Sequence, residues 1–316
     1  MHARLNLLVQ NYEQLKQSLK WKVSDDKVLM TVSSIYVINN QTFDLQRLLD
    51  LANAIKSQAG LFSPLRSQAR FTTAAMLDVK FNQPEEKIQE LFNLYNDFRE
   101  ERFVRGIYTY ISAMILLVMD VEDNKSIISR AKDIYDGMTK EHMFLTSNSD
   151  YPLATLLALE NRPDMITHIE SFYEELSKNG FRKVNDLQFL SHILALGNME
   201  RNRLISQVLQ ITDRFKENNM KVKSLYYPLI GMLSLLPIDS ISIEQIADTY
   251  HELNQMKGFK WQKDMNFILS ASLYISDKLE NEGLAETSLT ILLESLMQAQ
   301  QAAMIAATSG STGGSN

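Results

Sequence analysis

The sequence predicts an all-α chain arranged as an α-solenoid, a curved superhelix of about seven helix-pair repeats of ~40 residues, with a closed α/α toroid as the alternative. Three observations predict it. Apolar residues recur at helical spacing along nearly the whole chain, whereas period-two alternation bounded by turn residues is hard to find. Only 6 Pro and 11 Gly punctuate 316 residues. A bulky anchor recurs at Trp21, Phe62, Phe103, Phe144, Phe181, Met220 and Phe259, in steps of 41, 41, 41, 37, 39 and 39 residues, and so regular a step is the signature of stacked units.

Eight positions after each anchor the chain enters a strongly apolar segment, as at Leu29, Arg70, Ile111, Pro152, Phe189, Pro228 and Phe267. These A helices carry small residues (Thr72, Ala74, Ala113, Ala154, Ser191, Gly231, Ser270) that allow close helix approach. Tyr151-Pro152-Leu153 and Tyr227-Pro228-Leu229 recur in one register, with Pro suited to a first helical turn. Between each A segment and the next anchor lies an amphipathic B segment, such as Ile88, Leu91, Phe92, Tyr95 and Phe98. Asn82 and Asn161 are expected to cap two B helices ahead of Pro84 and Pro163, and Ser242 with Gln245 to cap a third. A helices, apolar nearly all round, should form the inner layer and B helices the outer wall.

Residues 1–307 are expected to form a single helical-repeat domain, with 1–20 a capping helix and repeats starting near each anchor. Residues 308–316, rich in Gly and Ser, should be a flexible tail.

Composition narrows the function. The absence of Cys excludes disulfides, thiolate metal sites and a Cys nucleophile, and fits a reducing cytoplasm. The longest apolar stretch, Ala113 to Met119, is far below the ~20 residues that span a bilayer, so no membrane association is expected. Net charge is −6, with Lys and Arg scattered rather than gathered in blocks, so no nucleic-acid partner is expected. No Gly-x-Gly-x-x-Gly, Walker lysine, Gly-x-Ser-x-Gly or His-Glu-x-x-His occurs, and no cofactor or metal is expected.

Three stretches carry a resemblance: Ser24-Asp25-Asp26-Lys27, Phe62-Ser-Pro-Leu-Arg66 continuing to Asp78, and Phe144-Leu-Thr-Ser-Asn-Ser-Asp150-Tyr-Pro-Leu-Ala154. With the Ala-rich C-terminus they resemble a family of bacterial cytoplasmic proteins, mainly from Gram-positive organisms, known as a domain of unknown function. The resemblance spans the whole chain and implies no reaction, so no catalytic residue is carried over.

Residues between anchor and A helix should line one rim, where helix N-termini favour anions. Arg66, Arg70, Arg105, Asp150, Tyr151 and Tyr227 are the candidate ligand-binding residues there, weighed against plain capping and salt bridging. Arg70 stands in an apolar register, with pairing to Asp78 or Asp150 the duller expectation. His192, inside an A segment, joins the candidates as a general base, against the commoner role of a hydrogen-bonded core His. The favoured function is a non-enzymatic interaction module for a protein, a peptide or a small anionic ligand, bound on the concave face or on the A-helix rim. The alternative is an enzyme with its site at the centre of a toroid, using Asp150, Tyr151, His192 and Arg70.

Overall fold

The computed structural model describes residues 2–281 and 287–311. Every regular element among them is helical: α1 (His2–Leu19), α2 (Asp26–Ile38), α3 (Leu45–Gln58), α4 (Ala69–Lys80), α5 (Lys87–Glu100), α6 (Ile107–Met119), α7 (Asn124–Glu141), α8 (Tyr151–Leu159), α9 (Met165–Lys178), α10 (Asn185–Ala195), α11 (Arg201–Glu217), α12 (Tyr227–Ser234), α13 (Ile243–Gln255), α14 (Lys263–Asn281) and α15 (Thr287–Ser311). Short 3-10 turns precede α4, α8 and α12. The helix α15 runs into the stretch expected to be a flexible tail, and the remaining tail residues, 312–316, lie outside the described ones.

The even-numbered helices from α2 to α14 are the apolar A segments. α2 is buried at every position from Val28 to Ile38, and α12 over its whole length. The intervening odd-numbered helices bury one stripe, such as Leu48, Leu51, Ala52 and Ile55 in α3. Each Leu, Ile or Phe so enclosed contributes about 1.5–3 kcal/mol. Gly231 shows how tightly α10 and α12 approach, since a Cβ there would stand 2.8 Å from Leu190 Cδ1 and 3.2 Å from Ile193 Cγ2.

Each B helix packs along the A helix after it, α1 with α2, α3 with α4, α5 with α6, and likewise to α13 with α14, and A helices also pack closely on one another, as α2 on α4 and α10 on α12. The hairpin is therefore closed by the anchor turn, and α1 is the partner of α2 as α3 is of α4. The helices group into two compact units, one of α1–α6 with α15 from Glu294 onward, the other of α7–α14 with α15 up to Leu293. The C-terminal helix differs from every B helix, because Ile291 to Gln301 are buried on all faces. In the first unit it meets the A helices through Ser34 Oγ on Met297 Sδ (3.0 Å), Asn39 Nδ2 on Glu294 Oε1 (2.5 Å) and Lys80 Nζ on the same oxygen (2.9 Å).

Asp25, Asp44, Asp123 and Ser242 cap α2, α3, α7 and α13 with side-chain oxygens. Asn82 and Asn161 do not cap: α5 and α9 begin later, at Lys87 and Met165, and Asn161 instead takes a left-handed conformation (φ 32°) after α8. Asn tolerates that conformation, so it can end one helix instead of starting the next.

The anchors occupy two kinds of position. Phe103, Phe181, Met220 and Phe259 are buried, whereas Trp21, Phe62 and Phe144 are exposed. Each buried anchor follows a residue of positive φ: Arg102 (67°), Gly180 (90°), Asn219 (58°) and Gly258 (95°). In the first three, the anchor N–H donates to a carbonyl five residues back, at Phe98, Leu176 and Phe215. This is the Schellman C-cap, whose following apolar residue folds back on the last helical turn. Phe103 does so edge-on to Phe98, with ring centroids 4.9 Å apart. Arg102 is exposed and non-glycine at φ 67°. Arg102→Gly should raise stability by roughly 0.5–1 kcal/mol in urea unfolding; a decrease would show that the Arg side chain contributes more than its backbone strain costs.

Candidate functional site

Within each unit the turns leading into A helices lie side by side. In the first, the Ser24 N–H donates to Gln68 Oε1 (3.3 Å), and Ser63 Oγ bonds Tyr110 OH (3.1 Å). In the second, Asn185 Nδ2 donates to the Leu145 carbonyl (2.8 Å), the Arg182 N–H to Tyr227 OH (3.3 Å), and Lys223 Nζ to Asp264 (2.5 Å).

These turns are basic. In the first unit they hold Lys20, Lys22, Arg66, Arg102 and Arg105 against Asp25 and Glu101. In the second they hold Arg182, Lys183, Lys221, Lys223, Lys257 and Lys260 against Asp150, which is fully buried. The turns at the other end of the hairpins are acidic. Asp44, Glu85 and Glu86 lie there in the first unit with no cation, and Glu160, Asp164, Glu200 and Asp239 in the second with only Arg162. Helix-dipole compensation does not produce this split, because every turn joins one C-terminus to one N-terminus and would attract the same mixture of charges at both ends.

The basic turns also carry exposed apolar side chains. Of the eight large hydrophobics exposed among the described residues, seven lie there: Trp21 (90% exposed), Leu61, Phe62, Val104, Met143, Phe144 (93%) and Trp261 (85%). Lys20 and Lys260 sit over the faces of Trp21 and Trp261, at 5.3 and 5.4 Å from the ring centroids.

In the first unit the turn before α4, helix α5 and the start of α6 border an open pocket of about 750 Å3. Tyr95 and Tyr110 line it as stacked rings, with centroids 3.8 Å apart and planes 11° apart. Leu61 and Phe62 add apolar wall, and Arg99 and Arg105 add positive charge. Arg99 is held by the Phe103 carbonyl, whereas Arg105 is exposed. Burial raises the Tyr95 hydroxyl above its ordinary pKa, and the two guanidinium groups oppose that shift.

The expected site residues divide. Arg66 and Arg105 are exposed on the basic turns, Arg66 also donating to the Ala59 carbonyl (3.2 Å). Arg70 is buried, and it pairs with neither Asp78 nor Asp150. Its Nη1 donates to the Ser67 and Arg66 carbonyls (2.6 and 3.2 Å), its guanidinium lies 4.4 Å from the Phe71 ring centroid, and Asp78 is taken by Tyr36 and Arg47. Two carbonyls of the turn thus hold Nη1 in place of the expected carboxylate, while Nε is buried without a hydrogen-bond partner. Tyr151 is buried edge-on to Tyr135, and Tyr227 is buried against Phe181.

Asp150 and His192 are brought together, with Oδ1 4.0 Å from Nδ1 and both side chains fully buried. Asp150 Oδ2 accepts from the Ser147 N–H (2.8 Å) and Asn185 Nδ2 (3.4 Å), while Oδ1 and both His192 nitrogens have no hydrogen-bond partner. Desolvation pushes the Asp150 carboxyl up to about 7 and the His192 imidazole down to about 3. The contact is therefore a close approach of two groups that burial drives toward neutrality, too long for a hydrogen bond.

Sequence reasoning missed the basic turns as a set, although aligning the charges by turn type reveals them. It also missed the Lys80, Asn39 and Glu294 cluster, which joins residues about as far apart as the chain allows and leaves no local signal. No helix among the described residues is long and apolar enough to cross a membrane.

A family model described as a protein of unknown function (DUF4003) matches residues 11–302. The uncharacterised protein YeaA of Bacillus subtilis (strain 168) is 39% identical over 322 residues, covering 100% of this chain and 97% of that protein. No solved structure matches the chain. With that match and that relative, the chain belongs to the DUF4003 family.

Proposed function

We propose that the chain is a non-enzymatic helical-repeat module that binds an anionic partner across the turns preceding its A helices. One observation carries the reading: the connecting turns at the two hairpin ends differ in charge, those before the A helices holding eleven cations and three acids between the helices in a chain of net charge −6, with Lys223 paired to Asp264 in the adjoining helix. The exposed Arg105 beside the 750 Å3 pocket supports it, since a guanidinium offers a carboxylate or phosphate a two-pronged contact. The N-terminal dipoles of the A helices add to the same positive field. The enzyme alternative would use Asp150, Tyr151 and His192, whose side chains are enclosed in packing.

Chromatography on an immobilised sulfonate at pH 7 tests the proposal. The chain should be retained at low ionic strength despite its net negative charge, and released as salt screens the patch over a Debye length of ~10 Å at 0.1 M. The quadruple variant Lys20→Glu, Lys22→Glu, Arg102→Glu, Arg105→Glu should elute at distinctly lower salt. Flow-through of the unaltered chain, or identical elution of the two, would defeat the reading.

A further inference from the structure

We infer that the anionic partner is a lipid bilayer surface, and that the apolar tips of the basic turns insert among its headgroups. The inference rests on the anionic-partner reading above and adds the chemistry of the exposed side chains. A solvent-exposed Trp, Phe or Leu costs solubility without adding to the core, and such residues ordinarily mark a contact surface when they recur together. Here they recur at the turn tips, and the turns they occupy are the basic ones. In the first unit Trp21 stands between Lys20 and Lys22, Leu61 and Phe62 five and four residues ahead of Arg66, and Val104 beside Arg105. In the second, Trp261 follows Lys260.

That combination suits a bilayer interface better than the other polyanions. Trp settles at the headgroup level, where its ring is half in and half out of hydrocarbon, while Lys and Arg meet lipid phosphates. Leu61, Val104 and Met143 have no ring to stack on a nucleotide base, so single-stranded nucleic acid would leave them unused. An acidic peptide would be gripped by a concave groove, whereas these side chains protrude from separate turns that stand next to one another, an arrangement that a planar surface can touch at several points at once. No spanning helix is needed: the contact is peripheral, so the inference departs from the expectation of no membrane association without requiring any helix to cross the membrane.

The experiment is sedimentation of the full chain with vesicles of phosphatidylcholine alone or of phosphatidylcholine and phosphatidylglycerol in equal parts. The chain should sediment with the mixed vesicles and remain free with the neutral ones, and added salt should weaken the binding without abolishing its apolar part. Two paired variants remove the tips while keeping every charge: Trp21→Ser with Phe62→Ser in the first unit, and Phe144→Ser with Trp261→Ser in the second. At these exposures both pairs should melt as the unaltered chain does, keep their elution from the sulfonate column, and at least one should bind mixed vesicles about ten-fold more weakly. Indole fluorescence of the unaltered chain should shift to the blue on binding. Retention on sulfonate with no vesicle binding would overturn the lipid inference while leaving the anionic-partner reading standing; flow-through on sulfonate would remove both. Unweakened vesicle binding by both pairs, or equal affinity for a single-stranded oligonucleotide, would also overturn it.

Discussion

Replacing Lys80 with methionine should lower the free energy of unfolding by about 3–5 kcal/mol at neutral pH, the loss typical of a buried ion pair stripped of one member. Glu294 is wholly enclosed, and its Oε1 collects both Lys80 Nζ and Asn39 Nδ2 while Oε2 has no hydrogen-bond partner. Burial raises this carboxyl above its ordinary pKa, and Lys80 with Asn39 pulls it back down. With Lys80 gone the upward shift is unopposed by charge, so folding favours the protonated acid. A carboxyl raised in the folded state contributes its full stability below its unfolded pKa and loses it as pH rises through the folded one. The Lys80→Met deficit should therefore shrink as the medium is acidified. Urea unfolding across pH measures it, and adding Glu294→Gln should recover most of the loss at neutral pH. A double variant no more stable than Lys80→Met would show that Lys80 stabilises something other than Glu294.

The second large effect is a pH dependence that the unaltered chain conceals. Asp150 is raised from 3.8 to about 7, so its neutral form's stability is complete below pH 3.8 and lost as pH rises to about 7. His192 is lowered from 6.5 to about 3, so its contribution is complete above pH 6.5 and lost as pH falls toward 3. Between pH 3.8 and 6.5 the two slopes oppose each other, one group holding an extra proton on folding and the other releasing one. Asp150→Asn keeps an acceptor for the Ser147 N–H and Asn185 and leaves only the His192 slope. Its stability should fall by about 1.4 kcal/mol per pH unit below pH 6.5. His192→Asn should show the reverse, losing stability as pH rises from 3.8 toward 7. Urea midpoints taken at half-unit steps would decide it, and an Asp150→Asn profile as flat as that of the parent chain would dismiss the pairing.

The all-α class was legible because helical periodicity depends only on local spacing, and the A segments could be located because each is apolar or small nearly all round and begins eight positions after an anchor. The anchors were legible as a period but not as an environment. Phe103 and Phe62 look alike in sequence, yet one follows a left-handed residue and folds under the helix while the other points to water. Gly180 and Asn219 advertise such a turn, whereas Arg102 does not. Charge was misread for a related reason. Lys20, Arg105, Lys183 and Lys260 are dispersed along the chain, and only the alternation of hairpin ends collects them. Arg70 stands out in the sequence as a charge in an apolar register, but carbonyls of its own turn hold Nη1 while Nε has no partner, an arrangement that residue spacing does not disclose.

The burial of α15 bears on how the chain comes off the ribosome. Ser34 and Met297 touch across 263 positions, and Asn39 and Glu294 across 255. Synthesis runs from the N-terminus, so α2 and α4 emerge long before the residues that seal them, and the first unit remains open on one side throughout translation of the second. The helix that completes the first unit is thus made only after the whole of α7–α14, and until then the hydrophobic faces awaiting it depend on chaperones or on transient collapse for cover.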